Sequence, residues 1–207
     1  MLRLYYFPGT VALAVQIALE DAGADFETER VDFLSQQQRS PEFLAINPKS
    51  RVPALVTDRG VLTEAPAMLT YIAQTWPEAG LAPLLDPFAL AQVQAFNTYL
   101  CATVHVAAAH RHRGYRWADD PVAIADMRRK SPEVVTECFN LIEADYFKGP
   151  YVMGETYTIC DPYLFTVAGW LERDGIDRSQ FPKVNAHFQR MRERASVRKV
   201  LADWGVE

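Results

Sequence analysis

A segment in the first third of the chain, Asn47-Pro48-Lys49-Ser50-Arg51-Val52-Pro53, places a proline at the start of a predicted strand. Proline is unusual there because it removes a donor from the hydrogen-bond ladder of the sheet. A cis bond between Val52 and Pro53 would explain it, because it would leave the N–H and C=O of Val52 free to pair with a peptide-like ligand. The alternative is an ordinary trans proline on an edge strand.

A second segment, Thr63-Glu64-Ala65-Pro66, lies where a predicted strand meets a predicted helix. Backbone amides at a helix N-terminus bind carboxylates, and the Glu64 side chain suits an ammonium group. Together these groups match the α-amino-acid end of a γ-glutamyl peptide. The alternative is that Glu64 only complements the positive end of the helix dipole.

The first elements that position these groups follow the order strand, helix, strand. Residues 2–7 and 26–31 are predicted strands, and residues 11–22 carry apolar side chains at helical spacing and end at Gly23. Two strands joined through a helix must be parallel, with a right-handed crossover.

The next elements are predicted to be a polar loop or weak helix over residues 35–39, a β-hairpin and a helix. The hairpin begins at Val52 and turns at Asp58-Arg59-Gly60, and the helix over residues 65–75 stops at Trp76-Pro77. The sequence therefore predicts a small mixed sheet with helices on its faces, which is a thioredoxin-like α/β arrangement.

Residues 77–87 are rich in proline and glycine and predict a linker between a first domain over 1–76 and a second over 88–207. The second domain is predicted to be all-α. Pro132 is expected to kink or interrupt one of its helices near Ser131. The predicted helices are 88–112, a long one from Asp119-Asp120-Pro121 towards Phe147, and then 162–172, 183–194 and 196–204.

The composition limits the classes of function. Hydrophobic residues make up 49% of the 207 residues and charged residues 23%, and the formal net charge is −5. This acidic balance argues against nucleic-acid binding. The sequence shows neither a signal peptide nor a membrane span. The cysteines, Cys101, Cys138 and Cys160, have no zinc-like spacing and predict reduced thiols in a cytoplasmic protein.

Several motifs occur in order and together resemble the bacterial glutathione S-transferases, particularly their beta class. The resemblance covers nearly the whole chain. It implies the fold of that family, a thioredoxin-like domain followed by an all-helical domain. It also implies a homodimer, and glutathione as a co-substrate without any further cofactor. The motifs are Leu4-Tyr5-Tyr6-Phe7-Pro8-Gly9, Leu44-Ala45-Ile46-Asn47-Pro48-Lys49, Val52-Pro53-Ala54-Leu55, Leu62-Thr63-Glu64-Ala65 and Tyr157-Thr158-Ile159-Cys160-Asp161-Pro162-Tyr163-Leu164-Phe165.

The last motif resembles the start of a helix in the second domain of that family. In one interpretation Thr158 is the N-cap and Asp161 reaches back to it, which is a capping box. In the other, Asp161 is the N-cap and Pro162 takes the first helical position.

The resemblance implies that glutathione binds against Val52, Pro53, Glu64 and Ala65. Gln36 stands where relatives carry a lysine that meets the glycine end of the peptide. Three residues of the first long helix, Thr98, Thr103 and His105, align with positions that line the beta-class site.

The sequence departs from the beta class at Val11, where that class has a cysteine that handles the glutathione sulfur. The cysteines of this chain are expected to lie away from the site, Cys101 and Cys138 in helices of the second domain and Cys160 at a helix start. It departs again at Val106, where many relatives have a lysine beside the histidine. Thr10 is one candidate to donate to the thiolate, with plain helix capping as the alternative. Tyr6 is a second candidate, but it shares strand parity with Leu2 and Leu4, which favours a packing role.

A basic stretch, His110-Arg111-His112-Arg113, is followed by Gly114-Tyr115-Arg116-Trp117. These residues could bind an anion or an acidic partner. The preferred interpretation is a solvated helix end, because cations complement the negative end of a helix dipole.

The resemblance implies an enzyme that joins glutathione to small hydrophobic electrophiles. Two alternatives stay open. One is a non-catalytic glutathione- or ligand-binding protein of the same fold, and the other is a glutathione-dependent isomerase or lyase.

Overall fold

The computed structural model describes residues 1–206, and its N-terminal part is built on one four-stranded mixed sheet. The spatial order of the strands is β2-β1-β3-β4. β1 pairs with β2 in parallel, and β3 pairs with β1 and β4 in antiparallel orientation, which confirms the predicted mixed sheet. The strands are β1 (Leu2–Tyr6), β2 (Phe26–Arg30), β3 (Ala54–Thr57) and β4 (Gly60–Thr63).

Three helices cover this sheet: α1 (Ala12–Asp21), α2 (Pro41–Ile46) and α3 (Ala65–Thr75). α1 and α3 were predicted, whereas α2 was not, because it is short and buries only Phe43. Its local signals are nevertheless clear, since Ser40 Oγ accepts from the Phe43 amide and a proline follows the cap. The Phe43 ring meets the Tyr5 ring edge-on, with centroids 5.8 Å apart, and so covers the second face of the sheet.

The rest of the described chain is helical, as predicted. α4 continues through a π-helical turn, Leu100–Val104, directly into α5, so the three segments form one long helix. The helices are α4 (Pro87–Tyr99), α5 (His105–Arg113), α6 (Pro121–Leu141), α7 (Cys160–Ala168), α8 (Pro182–Arg192) and α9 (Ala195–Trp204). None of the helices within residues 1–206 is long and apolar enough to cross a bilayer.

The predicted interruption near Ser131 is wrong. α6 is helical through Pro132, although proline cannot donate to the carbonyl of Arg128. Arg128 is exposed, so water can satisfy that carbonyl. Ser131 is buried, and its hydroxyl donates to the Ala107 carbonyl at 2.7 Å and ties α6 to α5.

The start of α7 is the capping box, and the alternative with Asp161 as N-cap is wrong. The Asp161 carboxylate accepts from the Thr158 amide at 2.7 Å, and Thr158 Oγ1 accepts from the Cys160 amide at 3.3 Å. The Asp161 amide donates to the Thr158 carbonyl, so the missing N–H of Pro162 leaves no acceptor unpaired. The same buried carboxylate accepts from the Val152 amide and lies 3.0 Å from His187 Nε2.

The α/β part and the helical part share one hydrophobic core, which includes Leu4, Ile17 and Leu164. α1 lies between the two parts and packs on both α7 and α9. A buried hydrogen bond of 2.6 Å from Trp204 Nε1 to Gln16 Oε1 joins the last helix to the first. This extensive burial holds the two parts in one relative position.

Candidate functional site

A cleft of about 490 Å³ lies where the sheet part meets the helical part. One wall comes from the loop before β3, the β4–α3 junction and the start of α1. The opposite wall comes from α5 and the turn after it. The lining residues include six of the ten that were predicted for the site: Thr10, Val52, Pro53, Glu64, Ala65 and His105.

The Val52-Pro53 bond is cis, which confirms the prediction. Pro53 immediately precedes β3, and both residues line the cleft. Within residues 1–206, neither the N–H nor the C=O of Val52 has a hydrogen-bond partner. Val52 therefore presents a free donor and a free acceptor at the end of a strand, which is what an extended peptide backbone requires.

Glu64 occupies the junction of β4 and α3 with φ 70° and ψ 115°. A positive φ is uncommon for a residue with a side chain, and such strained residues are concentrated at ligand sites. The Glu64 carboxylate accepts from Lys49 Nζ at 2.6 Å. Both side chains are about half exposed, so this ion pair is weak. An ammonium group of a ligand can therefore replace or join that of Lys49.

The start of α1 forms the floor of the cleft, through Thr10 and Val11. The Thr10 hydroxyl donates to the Phe7 carbonyl at 2.7 Å and lies 3.4 Å from the Ala12 amide, so it caps the helix. To donate to a ligand, this hydroxyl must exchange its bond with Phe7. Val11 is 7% exposed.

Tyr6 does not line the cleft. Its ring stacks on the Trp204 ring with centroids 4.9 Å apart, and it packs against the main core. Tyr6 therefore has the packing role that its position in the strand, on the same side as Leu2 and Leu4, favours.

His105 lies in the cleft with its ring edge-on to Trp170, at 4.9 Å between centroids. Burial, together with repulsion from Arg113, Arg51 and Arg116, lowers the pKa of His105 to about 4. The imidazole is therefore neutral at neutral pH. It can give or accept a hydrogen bond there, but it adds no charge.

Besides Tyr6, three predicted site residues lie outside the cleft. Gln36 is exposed, and the neighbouring side chains of Gln38 and Arg39 line the cleft instead. Thr103 is exposed on the π-helical turn. Thr98 borders a separate pocket of about 390 Å³ between α3 and α4. Helical spacing alone could not show that Thr98 and Thr103 point away from the cleft while His105 lines it. The π-helical turn between Thr98 and His105 changes the angular position of the residues that follow it.

Among the lining residues that were not predicted are Cys101 and Tyr163. Cys101 was expected to lie away from the site, and that expectation is wrong. The same π-helical turn carries Cys101, and Tyr163 follows the capping box of α7. Burial raises the pKa of the Cys101 thiol, so it holds little thiolate at neutral pH.

The preferred interpretation of the basic stretch is also wrong for part of it. Arg113, Tyr115, Arg116 and Trp117 line the cleft. In contrast, His112 lies outside it, and its Nε2 is 2.7 Å from the buried carboxylate of Asp174. The sequence signal was the stretch itself, but only the fold shows that Arg113 and three of the four residues after it face the site.

A thioredoxin-like α/β part joined to a helical part, with a cleft at their junction, defines a two-part fold whose cleft suits a peptide-like ligand. The chain matches two family descriptions, "Glutathione S-transferase, N-terminal domain" over residues 1–74 and "Glutathione S-transferase, C-terminal domain" over residues 116–195. It is 46% identical to a glutathione transferase homolog from Sulfitobacter whose crystal structure contains bound glutathione. The TM-score is 0.95, and the match covers 100% of this chain and 99% of that one.

Relatives of the chain include a glutathione S-transferase and an isomerase. Glutathione S-transferase GstA of Escherichia coli O157:H7 is 28% identical, with both chains covered completely. Maleylacetoacetate isomerase of Pseudomonas aeruginosa is 32% identical over 108 residues, which is 50% of each chain. The chain belongs to the glutathione S-transferase family.

Proposed function

We propose that this protein binds glutathione in the cleft and joins it, through its thiolate sulfur, to a small electrophile. The observation that carries the proposal is that two groups line the same cleft: the backbone N–H and C=O of Val52, which have no partner within residues 1–206, and Glu64 at the start of α3. Val52 suits the peptide backbone of glutathione, Glu64 its ammonium group, and the amides at the start of α3 its α-carboxylate.

The chemistry requires the thiolate form of glutathione, because a free thiol is only a few per cent ionised at neutral pH. The glutathione sulfur lies at the start of α1 in this proposal, near Thr10 and Val11. The positive end of the helix dipole and the Thr10 hydroxyl stabilise the thiolate. The thiolate then attacks the electrophile, for which the wall formed by α5 leaves room.

The direct test is turnover of 1-chloro-2,4-dinitrobenzene with glutathione, measured beside glutathione affinity by calorimetry. Turnover above the uncatalysed rate supports the transferase. Binding without turnover would support the second candidate, a non-catalytic glutathione-binding protein. Val11 favours that candidate, because it replaces the beta-class cysteine.

Thr10→Val should lower turnover about tenfold and raise the pKa of the bound thiol by about one unit, because one donor to a charged sulfur is lost. Ultraviolet titration of bound glutathione measures that pKa directly. Tyr6→Phe is the matched control and should change neither quantity, since Tyr6 stacks on Trp204 outside the cleft. A larger effect of Tyr6→Phe would instead assign a tyrosine as the thiolate donor.

We further propose a homodimer formed through the surface around α3 and α4. Phe88 is 74% exposed and Leu85 is fully exposed, and both precede or begin α4. An interface here would cover these exposed apolar groups.

Light scattering at micromolar concentration should give the mass of a dimer. Phe88→Glu should weaken association about tenfold, because it places a charge in an apolar contact on both copies. Val122→Glu, which changes an equally exposed apolar residue on α6 (75% exposed), is the control and should leave the mass unchanged. A monomer mass for the unaltered protein would exclude this part of the proposal.

A cytoplasmic location and a role in detoxifying electrophiles are proposed with the same function. The three cysteines are free thiols, and burial raises the pKa of each. Unpaired thiols suit a reducing compartment.

A further inference from the structure

The cleft is strongly cationic, and two of its cations, Arg113 and Arg116, lie on the wall opposite the glutathione-binding groups. Five of the lining side chains are cations, and Glu64 is the one lining carboxylate within residues 1–206. His105 adds no charge at neutral pH, since its pKa is about 4. The formal charge of the empty cleft is therefore five positive against one negative, or +4. The five cations are Arg39, Lys49, Arg51, Arg113 and Arg116.

Glutathione does not neutralise this charge. Its thiolate form has two carboxylates, one thiolate and one ammonium group, which sum to −2. With glutathione bound, the cleft keeps a formal charge of +2. A neutral electrophile would leave that charge uncompensated in a partly buried site, whereas an anionic electrophile would offset it.

The arginines of this wall have no partners of their own. Arg113 and Arg116 form neither an ion pair nor a side-chain hydrogen bond within the described part of the chain, residues 1–206. Burial, followed by repulsion from Arg116, lowers the pKa of Arg113. Arg116 is exposed, whereas Arg113 is partly buried. A partly buried cation without a counter-ion is costly, so an anion that binds beside Arg113 is favoured.

The turn that carries these arginines is fixed in place. Gly114 is buried against α6, where an added Cβ would lie 3.3 Å from Ile124 Cγ2. The amides of Trp117 and Ala118 both donate to the Gly114 carbonyl, at 2.9 and 3.1 Å. A rigid turn holds its side chains ready for a ligand at a small cost in conformational entropy.

Aromatic rings complete the wall. Trp117 is 47% exposed with its ring on that of His110, at 4.2 Å between centroids, and Tyr115 is 58% exposed. Both line the cleft beside the apolar surfaces of Val106 and Ala109. Exposed aromatic faces suit a planar, conjugated molecule.

We infer that the second substrate is a planar electrophile that carries a carboxylate or another anionic group, which Arg113 and Arg116 bind. This inference rests on the proposed transferase function and names its substrate class. It replaces the purely hydrophobic electrophile that the family resemblance implies.

A matched pair of probes tests the inference, 4-chloro-3,5-dinitrobenzoate and 4-chloro-3,5-dinitrobenzamide, which differ in charge but hardly in shape. In both, the glutathione sulfur bonds to the carbon that bears chlorine. The C–Cl bond breaks, chloride leaves with the bonding pair, and the thiol proton passes to solvent. The quantity measured is kcat/KM for each probe divided by its uncatalysed rate constant with glutathione.

The unaltered protein should prefer the benzoate by about tenfold or more, the effect of one charge-assisted contact. Added salt should reduce that preference, because ions screen the arginines. Arg113→Gln and Arg116→Gln should each remove most of the preference, whereas Arg113→Lys should retain much of it because the charge remains. Arg59→Gln, in the exposed turn between β3 and β4, is the control and should leave the preference unchanged.

The two proposals fail in different ways. If neither probe turns over above its uncatalysed rate, the transferase function is wrong, and this inference falls with it. If both turn over with equal normalised kcat/KM, the transferase stands and the anionic substrate class is wrong. An equal loss for both probes in Arg113→Gln and Arg116→Gln would likewise overturn the inference, because it would place the arginines on glutathione.

Discussion

Val11→Cys should convert a protein that takes up no glutathione adduct into one that takes up a single adduct per chain. Incubation with oxidised glutathione under native conditions, followed by intact-mass spectrometry, measures this directly. The adduct requires a thiolate that attacks one sulfur of the disulfide. Val11 supplies no such group, although it lines the cleft at the start of α1.

The N-terminus of α1 should make a cysteine at position 11 reactive. A thiol at a helix N-terminus has a lowered pKa, because the dipole stabilises its thiolate. In the proposed binding mode, the sulfur of the bound glutathione half lies next to residue 11. Valine and cysteine are similar in volume, so the exchange should cost less than about 1.5 kcal/mol of stability.

Cys101 is the necessary control, because it also lines the cleft. Burial raises the pKa of its thiol, so it should react little. Val11→Cys combined with Cys101→Ser should still take up one adduct, and Cys101→Ser alone should take up none. If the unaltered protein is modified as fully as Val11→Cys, and Cys101→Ser removes that modification, then Cys101 is the reactive thiol of the site.

Glu64→Ala should weaken glutathione binding about 10- to 100-fold, the effect of losing one hydrogen bond between charged groups. The carboxylate of Glu64 is the one negative side chain that lines the cleft within residues 1–206. Without it, the ammonium group of glutathione faces Lys49 with no counter-charge. Isothermal titration calorimetry measures the change in Kd.

Two further variants define the cause of this effect. Glu64→Gln keeps the size of the side chain and removes its charge, so it should lose most of the affinity as well. Glu137→Ala removes an exposed carboxylate on α6 and should bind glutathione normally. Glu64→Ala should hardly change the melting temperature, because the exposed ion pair with Lys49 is weak. An unchanged Kd in Glu64→Ala would assign the ammonium group to another residue.

Local signals in the sequence were sufficient for most of the fold. The end of α1 at Gly23, the hairpin turn before β4 and the stop of α3 at Trp76-Pro77 each follow from residues close together in the chain. Local patterns also offered the cis Val52-Pro53 bond and the capping box of Thr158 and Asp161, each as one of two alternatives between which the structure decided. Backbone preferences of this kind act over a few residues, so a single sequence carries them directly.

What the sequence did not determine depends on contacts between distant residues. The π-helical turn at Leu100–Val104 shifts the phase of one long helix, so that Cys101 and His105 line the cleft while Thr98 does not. Gly114 docks on α6 and thereby brings Arg113 and Arg116 to the cleft, although their spacing predicted a solvated helix end. Both outcomes depend on packing across the fold, because burial outweighs a local preference wherever the two compete.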